Sequence, residues 1–584
     1  MQKDSQQRLD DFRALLKSRE LDGFFITRED MFQGEEVRPA DEFLAYLTGF
    51  TGSAGYALVL QDKAAVFSDS RYTIQLQRQL DANLWQSYDT AQTSLTDYLT
   101  QNMPAGADRL RLGYHSWSLT RKRANALPSK LTIEGKDIAI EWVGLEAHPV
   151  ADIWQDRPII PNRHVWRLAD DIAGKSASEK CQTATSDLAL ARLICQVDVV
   201  NWLFNIRGDD LVNTPYHLAY ALLMPSGEAI LVGEAIRGLP KELAHLTYDA
   251  LPDYLKEAAI DELQVDPTAL PAALALQLEA ADIALCEGSE PLLAVKACKN
   301  PAEISGFRTA HHLDALAFVR FWHWFETAGL AMGLNETMLA QQLHQTRLMS
   351  DAFISDSFPA IVGFNENGAV VHYRAEAGRD AAIAGNGVLL IDSGGQYRTG
   401  TTDVTRTFAI GTPPAEAITA STHVLAGHIE LARLRFAKGT TGAQLDAICR
   451  APLWSAGLDY GHGTGHGVGH ILSVHEGPVS ISKRCHLAVE EGHILSNEPG
   501  YYAPNKFGIR HENLILAQTG SDGFLNFETL TLIPFDARLI DASLLNEAQL
   551  DWLNLYHRTV YERLSPDLEP ALVRWLEQKT APLI

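Results

Sequence analysis

Four carboxylates and a histidine stand among short apolar strands in one stretch of this chain, and a fold must bury or neutralise them together. GVLLIDSGG places Asp392 at the carboxyl end of an apolar run, where Ser393-Gly394-Gly395 turns the chain. TTDVTRTFAIG then supplies a second strand bearing Asp403, eleven residues later. An antiparallel pair with a turn of that length brings the two carboxylates onto one face. Like charges packed this way repel, so the pair needs a proton or a cation between its members. Alone, the two acids would read as a solvated hairpin Asp and a turn Asp.

They are not alone. LSNEPGYY carries Glu498 at the end of another strand, and FGIRHEN carries Glu512 fourteen residues later, again at antiparallel spacing. HGTGHGVGH, residues 462–470, sets His462 and His466 among glycines that let backbone approach a ligand closely. Its spacing fits neither GxGxxG before a helix nor GxxxxGK[ST], so it is not a phosphate loop. Asp392, Asp403, His466, Glu498 and Glu512 carry a formal charge of about −4, which two divalent cations would balance. Oxygen-rich ligation with a single imidazole suits Mn²⁺, with Zn²⁺ and Co²⁺ as further candidates. Two such ions hold a bridging water, lower its pKa towards neutrality and polarise a neighbouring carbonyl, which is hydrolytic chemistry. No HExxH or GxSxG occurs, and none of the six cysteines sits in a convincing site, so neither a mononuclear zincin nor a Ser or Cys nucleophile is expected.

The chain of 584 residues exceeds what one core usually organises. Leu9, Phe12, Leu15 and Leu16 recur at helical spacing before the strand-like run Phe24–Ile26, opening an α/β domain over 1–155. Residues 195–234 repeat the logic of 43–67, with Tyr220-Ala221-Leu222 echoing Tyr56-Ala57-Leu58, so 156–300 reads as a second copy joined through the Pro-rich linker 153–163. Residues 302–330 form a long amphipathic helix opening a third domain, 301–584. Its end, 523–584, carries Trp552, Leu553, Leu555, Tyr556 and Tyr561 as a packed appendage. The net charge of −24 disfavours nucleic acid. No CxxC pair, no secretory signal and no run of about 18 apolar residues is seen, so a cytoplasmic protein with reduced thiols and no membrane partner is expected.

The ordered motifs IDSG, TTDVTRT, HGTGHGVG, VHEGP, EPGYY and GIRxEN resemble the metal site of the pita-bread metallopeptidases, and most closely that of the aminopeptidase P family. AYLTGFTGSAGYALV, VFSDSRY, HPVADIWQDRP and WLFNIRG resemble the noncatalytic domains of its long, three-domain form, so the likeness covers nearly the whole chain. The resemblance implies an α/β (α+β) protein, with two creatinase-type N-terminal domains before a pita-bread catalytic domain. Carried over, it implies that Asp392 chelates one metal, that Asp403 and Glu512 bridge both, and that His466 and Glu498 complete the other site. Glu498 would shuttle the water proton, and His372 and His475 would bind substrate and stabilise the tetrahedral intermediate. His462, Tyr502 and Arg510 match residues lining the pocket for a proline in the second position of the peptide. A homodimer follows by analogy alone.

This sequence departs from the family at His511, which alternation points away from the metals, at Arg374 and at Asn497; the last two are expected to shift substrate preference. A prolidase, cutting only dipeptides, is the nearest alternative activity, and methionine aminopeptidase lacks the N-terminal modules. A metal-free pita-bread binding protein or a creatinase-like hydrolase would have no use for all five ligands.

Overall fold

The computed structural model describes residues 4–103, 107–133, 135–160, 163–234 and 236–584, so the linker residues Pro161 and Asn162 lie outside it. The chain divides into two compact units: unit 1 spans Met1–Leu168, Lys175–Leu211 and Tyr216–Leu292, and unit 2 is chiefly Leu293–Ile584.

Unit 1 is built on two large sheets, with a two-stranded one, Val165–Arg167 and Ile206–Gly208, besides. Leu9, Phe12 and Leu16 bury one face of the helix Ser5–Ser18, capped by Asp4, and the fully buried strand Gly23–Thr27 follows. That strand pairs antiparallel with Tyr56–Leu60, which turns back into Ala64–Ser68, and parallel with Arg109–His115 on its other side. The second sheet repeats this plan. Ala191–Ile194 pairs antiparallel with Tyr220–Leu223, which turns back into Ala229–Val232, and parallel with Glu262–Val265. The echo between the two Tyr-Ala-Leu segments is thus a repeated strand at the same place in two sheets of seven and six strands.

In unit 2, Asn300 caps the helix Pro301–Thr327 by accepting from the Ala302 and Glu303 amides, with Pro301 in the first turn. Phe318, Phe321, Trp322 and Phe325 of this helix share a core with Leu389 and Ile391, and with Leu553, Tyr556, Val560 and Leu564 of the helix Glu547–Leu564. Trp552 and Tyr561 pack against that core, but Leu555 is 50% exposed, because it falls on the far side of a helix whose buried stripe runs through 553, 556, 560 and 564. Two sheets carry the polar motifs. One orders Ile361–Phe364, Gly387–Ser393 and Val404–Ile410, all antiparallel. The other, six-stranded, includes Gly465–Gly467 beside Ile494–Asn497, which pairs with Asn513–Thr519. All six cysteines are free, and no helix among the described residues is long and apolar enough to cross a membrane.

Candidate metal centre

Strand alternation sends Leu389 and Ile391 into the helix-packed core and puts Asp392 on the opposite face with Val388. Asp392 pairs in register with Thr405, so Asp403, two residues earlier and just before its strand, keeps the parity that returns it to the same face. The second acid pair follows from the register Asn497↔Asn513, which, continued by one residue, sets Glu498 opposite Glu512. Both stand where the six-stranded sheet gives way to the hairpin Gly500–Ala503 and Phe507–Arg510.

Asp403, His466 and Glu512 each present a ligand atom within 4.8 Å of the others. His466 Nε2 lies 3.5 Å from Asp403 Oδ2 and 3.5 Å from Glu498 Oε1. His466 Nδ1 stands 2.9 Å from the Gly467 carbonyl, to which it donates, leaving Nε2 as the lone-pair nitrogen aimed at the acids. Asp392 stands outside the three-residue group. Its Oδ2 accepts from Arg510 Nη2, and its Oδ1 is buried with no hydrogen-bond partner among the described residues.

Burial, followed by the charges of Asp403, Asp392 and Glu498, holds the Glu512 carboxyl well above the ordinary carboxylate range. Burial likewise raises Asp392 and Glu498, against the lowering pull of Arg510 on both and of His466 on Glu498. These acids are costly to ionise together unless a cation joins them. Arg510 offsets one of four negative charges, and the remaining three exceed what one divalent ion neutralises. With the orphaned Asp392 oxygen and the oriented imidazole, the set fits two divalent ions in an oxygen-rich site.

The remaining candidates surround this cluster. His475 is exposed and packs edge-on against His466, ring centroids 4.3 Å apart. Arg510 Nη1 donates to Tyr502 Oη at 2.7 Å, and Tyr502 Oη lies 2.8 Å from His462 Nε2. Because His462 Nδ1 stands 2.7 Å from the Gly463 carbonyl and donates to it, the phenol is the donor to Nε2, and one chain of bonds runs from Arg510 through Tyr502 to His462. Burial pushes the Tyr502 phenol up to about 12, keeping it protonated. His372 is half-buried in the turn after the short helix Asn365–Ala369. That helix reaches the hairpin strand of Arg510 at Gly508, where a Cβ would overlap the Gly368 carbonyl.

His511 points away from the acids, its Nε2 2.8 Å from the Ser421 hydroxyl on the helix Ala415–Ala432. Asn497 also faces that helix, donating to the His428 carbonyl at 2.9 Å; it ties strand to helix. Arg374 is exposed.

Several supporting residues escape motif reading. Thr405 donates to Glu512 Oε2 at 2.8 Å and accepts from Arg510 Nε at 3.2 Å. Ser496 accepts from the His466 amide at 2.9 Å and donates to Glu498 Oε1 at 3.3 Å. Each lies two residues from a candidate ligand on an extended segment, so period-two parity marks them. Arg406, fully buried, donates to the Glu512 carbonyl at 2.5 Å, Asn513 Oδ1 at 2.7 Å and Tyr556 Oη at 3.0 Å, and lies over the Phe535 ring. Glu476, beside His475, is buried between Lys296 and Lys299.

Comparison with known proteins places this architecture in a class. Residues 305–519 match metallopeptidase family M24 and 523–583 its C-terminal region, while 8–143 and 156–303 each match a creatinase/prolidase N-terminal domain. Curated relatives named probable Xaa-Pro aminopeptidase P are 35% identical in Laccaria bicolor, covering 99% of this chain and 93% of the relative, and 34% identical in Coprinopsis cinerea, covering 99% of each. The crystal structure of an X-prolyl aminopeptidase from Caenorhabditis elegans, described as a cytosolic enzyme with a di-nuclear active site, superposes with a TM-score of 0.90 at 29% identity, over 99% of this chain and 100% of that one. The chain therefore belongs to the Xaa-Pro aminopeptidase P branch of metallopeptidase family M24.

Proposed function

We propose that the chain is a metal-dependent aminopeptidase that hydrolyses the bond between an N-terminal residue and a following proline. One observation carries the reading: Asp403, His466 and Glu512 share a centre within 4.8 Å, with Glu498 3.5 Å from the imidazole. Asp392 would hold one ion, Asp403 and Glu512 both, and His466 and Glu498 the other, with Mn²⁺ as the ion in the cell. When bound, the ions supply a nucleophilic water at neutral pH and polarise the scissile carbonyl.

The chain's own residues do the rest. Glu498 is half-buried and raised by burial, so it can accept a proton and return it to the departing proline nitrogen. That transfer is needed because a proline amine leaves as a poor leaving group unless protonated. His372 and His475 would bind the substrate carbonyl region and donate to the oxyanion as it forms. Since proline has no amide N–H, recognition rests on ring shape and neighbouring carbonyls, a task suited to the linked His462, Tyr502 and Arg510. Thr405 and Ser496 orient the acids they bond. We further assign domains to 1–155, 156–300 and 301–584, with 523–584 as an appendage, and infer a cytoplasmic homodimer.

Hydrolysis rates on X-Pro and X-Pro-Y peptides, with and without chelator, test this reading. Cleavage of both tripeptides and longer peptides, abolished by chelator, is expected; activity confined to dipeptides would make the chain a prolidase.

A further inference from the structure

Unit 1 contains a cavity that the hydrolytic site does not use. The segment following the strand Gly23–Thr27 is tied to the six-stranded sheet, for Tyr220 Oη donates to the Met31 carbonyl at 2.6 Å, and the Phe32 ring packs on Tyr220 and Tyr248. Beside it lies a cavity of about 270 Å³ whose walls include Asp30, Phe43, His115, Trp117 and Tyr248. That is close to the ~300 Å³ at which small-ligand pockets begin.

Its wall leaves the Asp30 carboxylate short of a hydrogen-bond partner among the described residues. Asp41 in the wall is paired with Arg38 at 2.8 Å and Arg157 at 3.0 Å, and Glu29 with Arg123 at 2.5 Å. Among the described residues Asp30 has no such partner, and Arg38 and Arg28 act on it only from a longer distance. It is only 7% exposed, its Oδ1 accepts the Phe32 amide at 2.8 Å, and its Oδ2 is buried without a hydrogen-bond partner among the described residues. Arg28 donates to Glu42 at 2.9 Å, and among the described residues its Nε and Nη1 bond nothing, Asp30 included. Nor does His115 supply a charge. Its Nδ1 lies 3.0 Å from the Ser118 hydroxyl and its Nε2 3.1 Å from the Glu146 carbonyl, and burial holds the ring down at about 4. The exposed Asp249 at the rim adds a further negative charge.

A buried carboxylate in an apolar pocket calls for a cation, and aromatic faces attract one. An inorganic divalent ion would need several oxygens about one centre, but Glu29 and Asp41 are already committed to arginines. We propose that this cavity is a binding site for a small organic ammonium ion, its head against the Asp30 carboxylate and its apolar body among Phe43, Trp117 and Tyr248. An ammonium group there supplies the donor that Asp30 Oδ2 lacks among the described residues, and the aromatic walls bury the rest of the ligand.

Benzylamine is the probe, and benzyl alcohol its uncharged counterpart. Both are titrated calorimetrically into the full metal-loaded chain at mildly alkaline pH, where Asp30, raised by burial to about 7, is ionised. Benzylamine should bind at one site, roughly tenfold or more tighter than benzyl alcohol, and Asp30→Asn should remove at least that advantage without changing peptide hydrolysis. Trp117→Leu, altering a half-buried wall, is the second variant: it should weaken benzylamine binding several-fold and abolish the ligand-induced change in tryptophan fluorescence. Failure of benzylamine to bind, equal binding of the alcohol, or undiminished affinity in either variant would overturn the proposal.

Discussion

Each unit contains a buried antiparallel strand pair, Tyr56–Leu60 with Ala64–Ser68 in unit 1 and Gly387–Ser393 with Val404–Ile410 in unit 2. In the first the interior is apolar, and buried Ser68 at its end donates to the Ala54 carbonyl at 2.6 Å. In the second the pairing is just as regular, yet it delivers Asp392 to a buried position with one oxygen unsatisfied and to the neighbourhood of three more acids. The same ladder thus closes on itself in one place and is left incomplete in the other. Sheet formation follows from apolar alternation, and the chemistry enters at strand ends where that alternation is broken by charge.

The difference is sharpest under substitution of the acids. Asp403→Asn or Glu512→Gln should lower kcat/KM on an X-Pro-Pro peptide at least about a thousandfold, or ~4 kcal/mol of transition-state stabilisation. Asp137→Asn, exposed near the start of the strand Lys136–Leu145 of unit 1, should leave that rate unchanged. Comparable losses from both would break the distinction.

Chelation should separate the units thermally. Ions present at about a hundred times their Kd stabilise the folded state that binds them by about 2.7 kcal/mol. Scanning calorimetry should therefore show the unit 2 transition falling by several degrees on chelation while the unit 1 transition stays in place.

Arg406 and Tyr556 extend the comparison to the C-terminal appendage, since Tyr556 Oη joins Arg406 to the Ile533 carbonyl behind Glu512. Tyr556→Phe takes the acceptor from the buried Ile533 amide and one of three acceptors from Arg406 Nη2, and should cost ~1–3 kcal/mol in urea unfolding, with a smaller drop in rate. A variant as stable and active as the parent would show that the appendage only covers the core.

The smallest effect is in pH. Burial, then Arg406, holds His428 and His557 down at about 3. Below 6.5 the unfolded chain takes up protons that the folded chain refuses, so the stability these residues contribute is present above 6.5 and lost as pH falls towards 3. Asp30 in unit 1 runs the other way. Raised by burial from 3.8 to about 7, it contributes stability below 3.8 that is lost as pH rises through 7. His557→Gln should flatten the acid side of unit 2's stability profile, and Asp30→Asn the neutral side of unit 1's; urea midpoints at several pH values check both.

Much of the fold was legible from short-range pattern. The stripe of Leu9, Phe12 and Leu16, the long helix expected over 302–330 and found at Pro301–Thr327, and the repeated Tyr-Ala-Leu strand all depend on residues near one another in sequence. Spacing within hairpins likewise brought Asp392 near Asp403 and Glu498 opposite Glu512. Contacts set by distant segments were not legible. Arg510 turns to Asp392 from 118 residues away, and Arg406 meets Tyr556 from 150 residues away, with no local periodicity to announce either. Leu555 was misplaced for a different reason: an apolar residue beside a buried stripe looks the same in sequence whether it joins the stripe or leaves it.

Equilibrium dialysis of the metal-free chain against Mn²⁺, read as ions bound per chain at saturation, tests the central claim most directly. Two ions per chain, falling to one or none in Glu512→Gln, is the result expected of a binuclear centre. A chain that binds one ion or none at saturating Mn²⁺ and still cleaves before proline would contradict it.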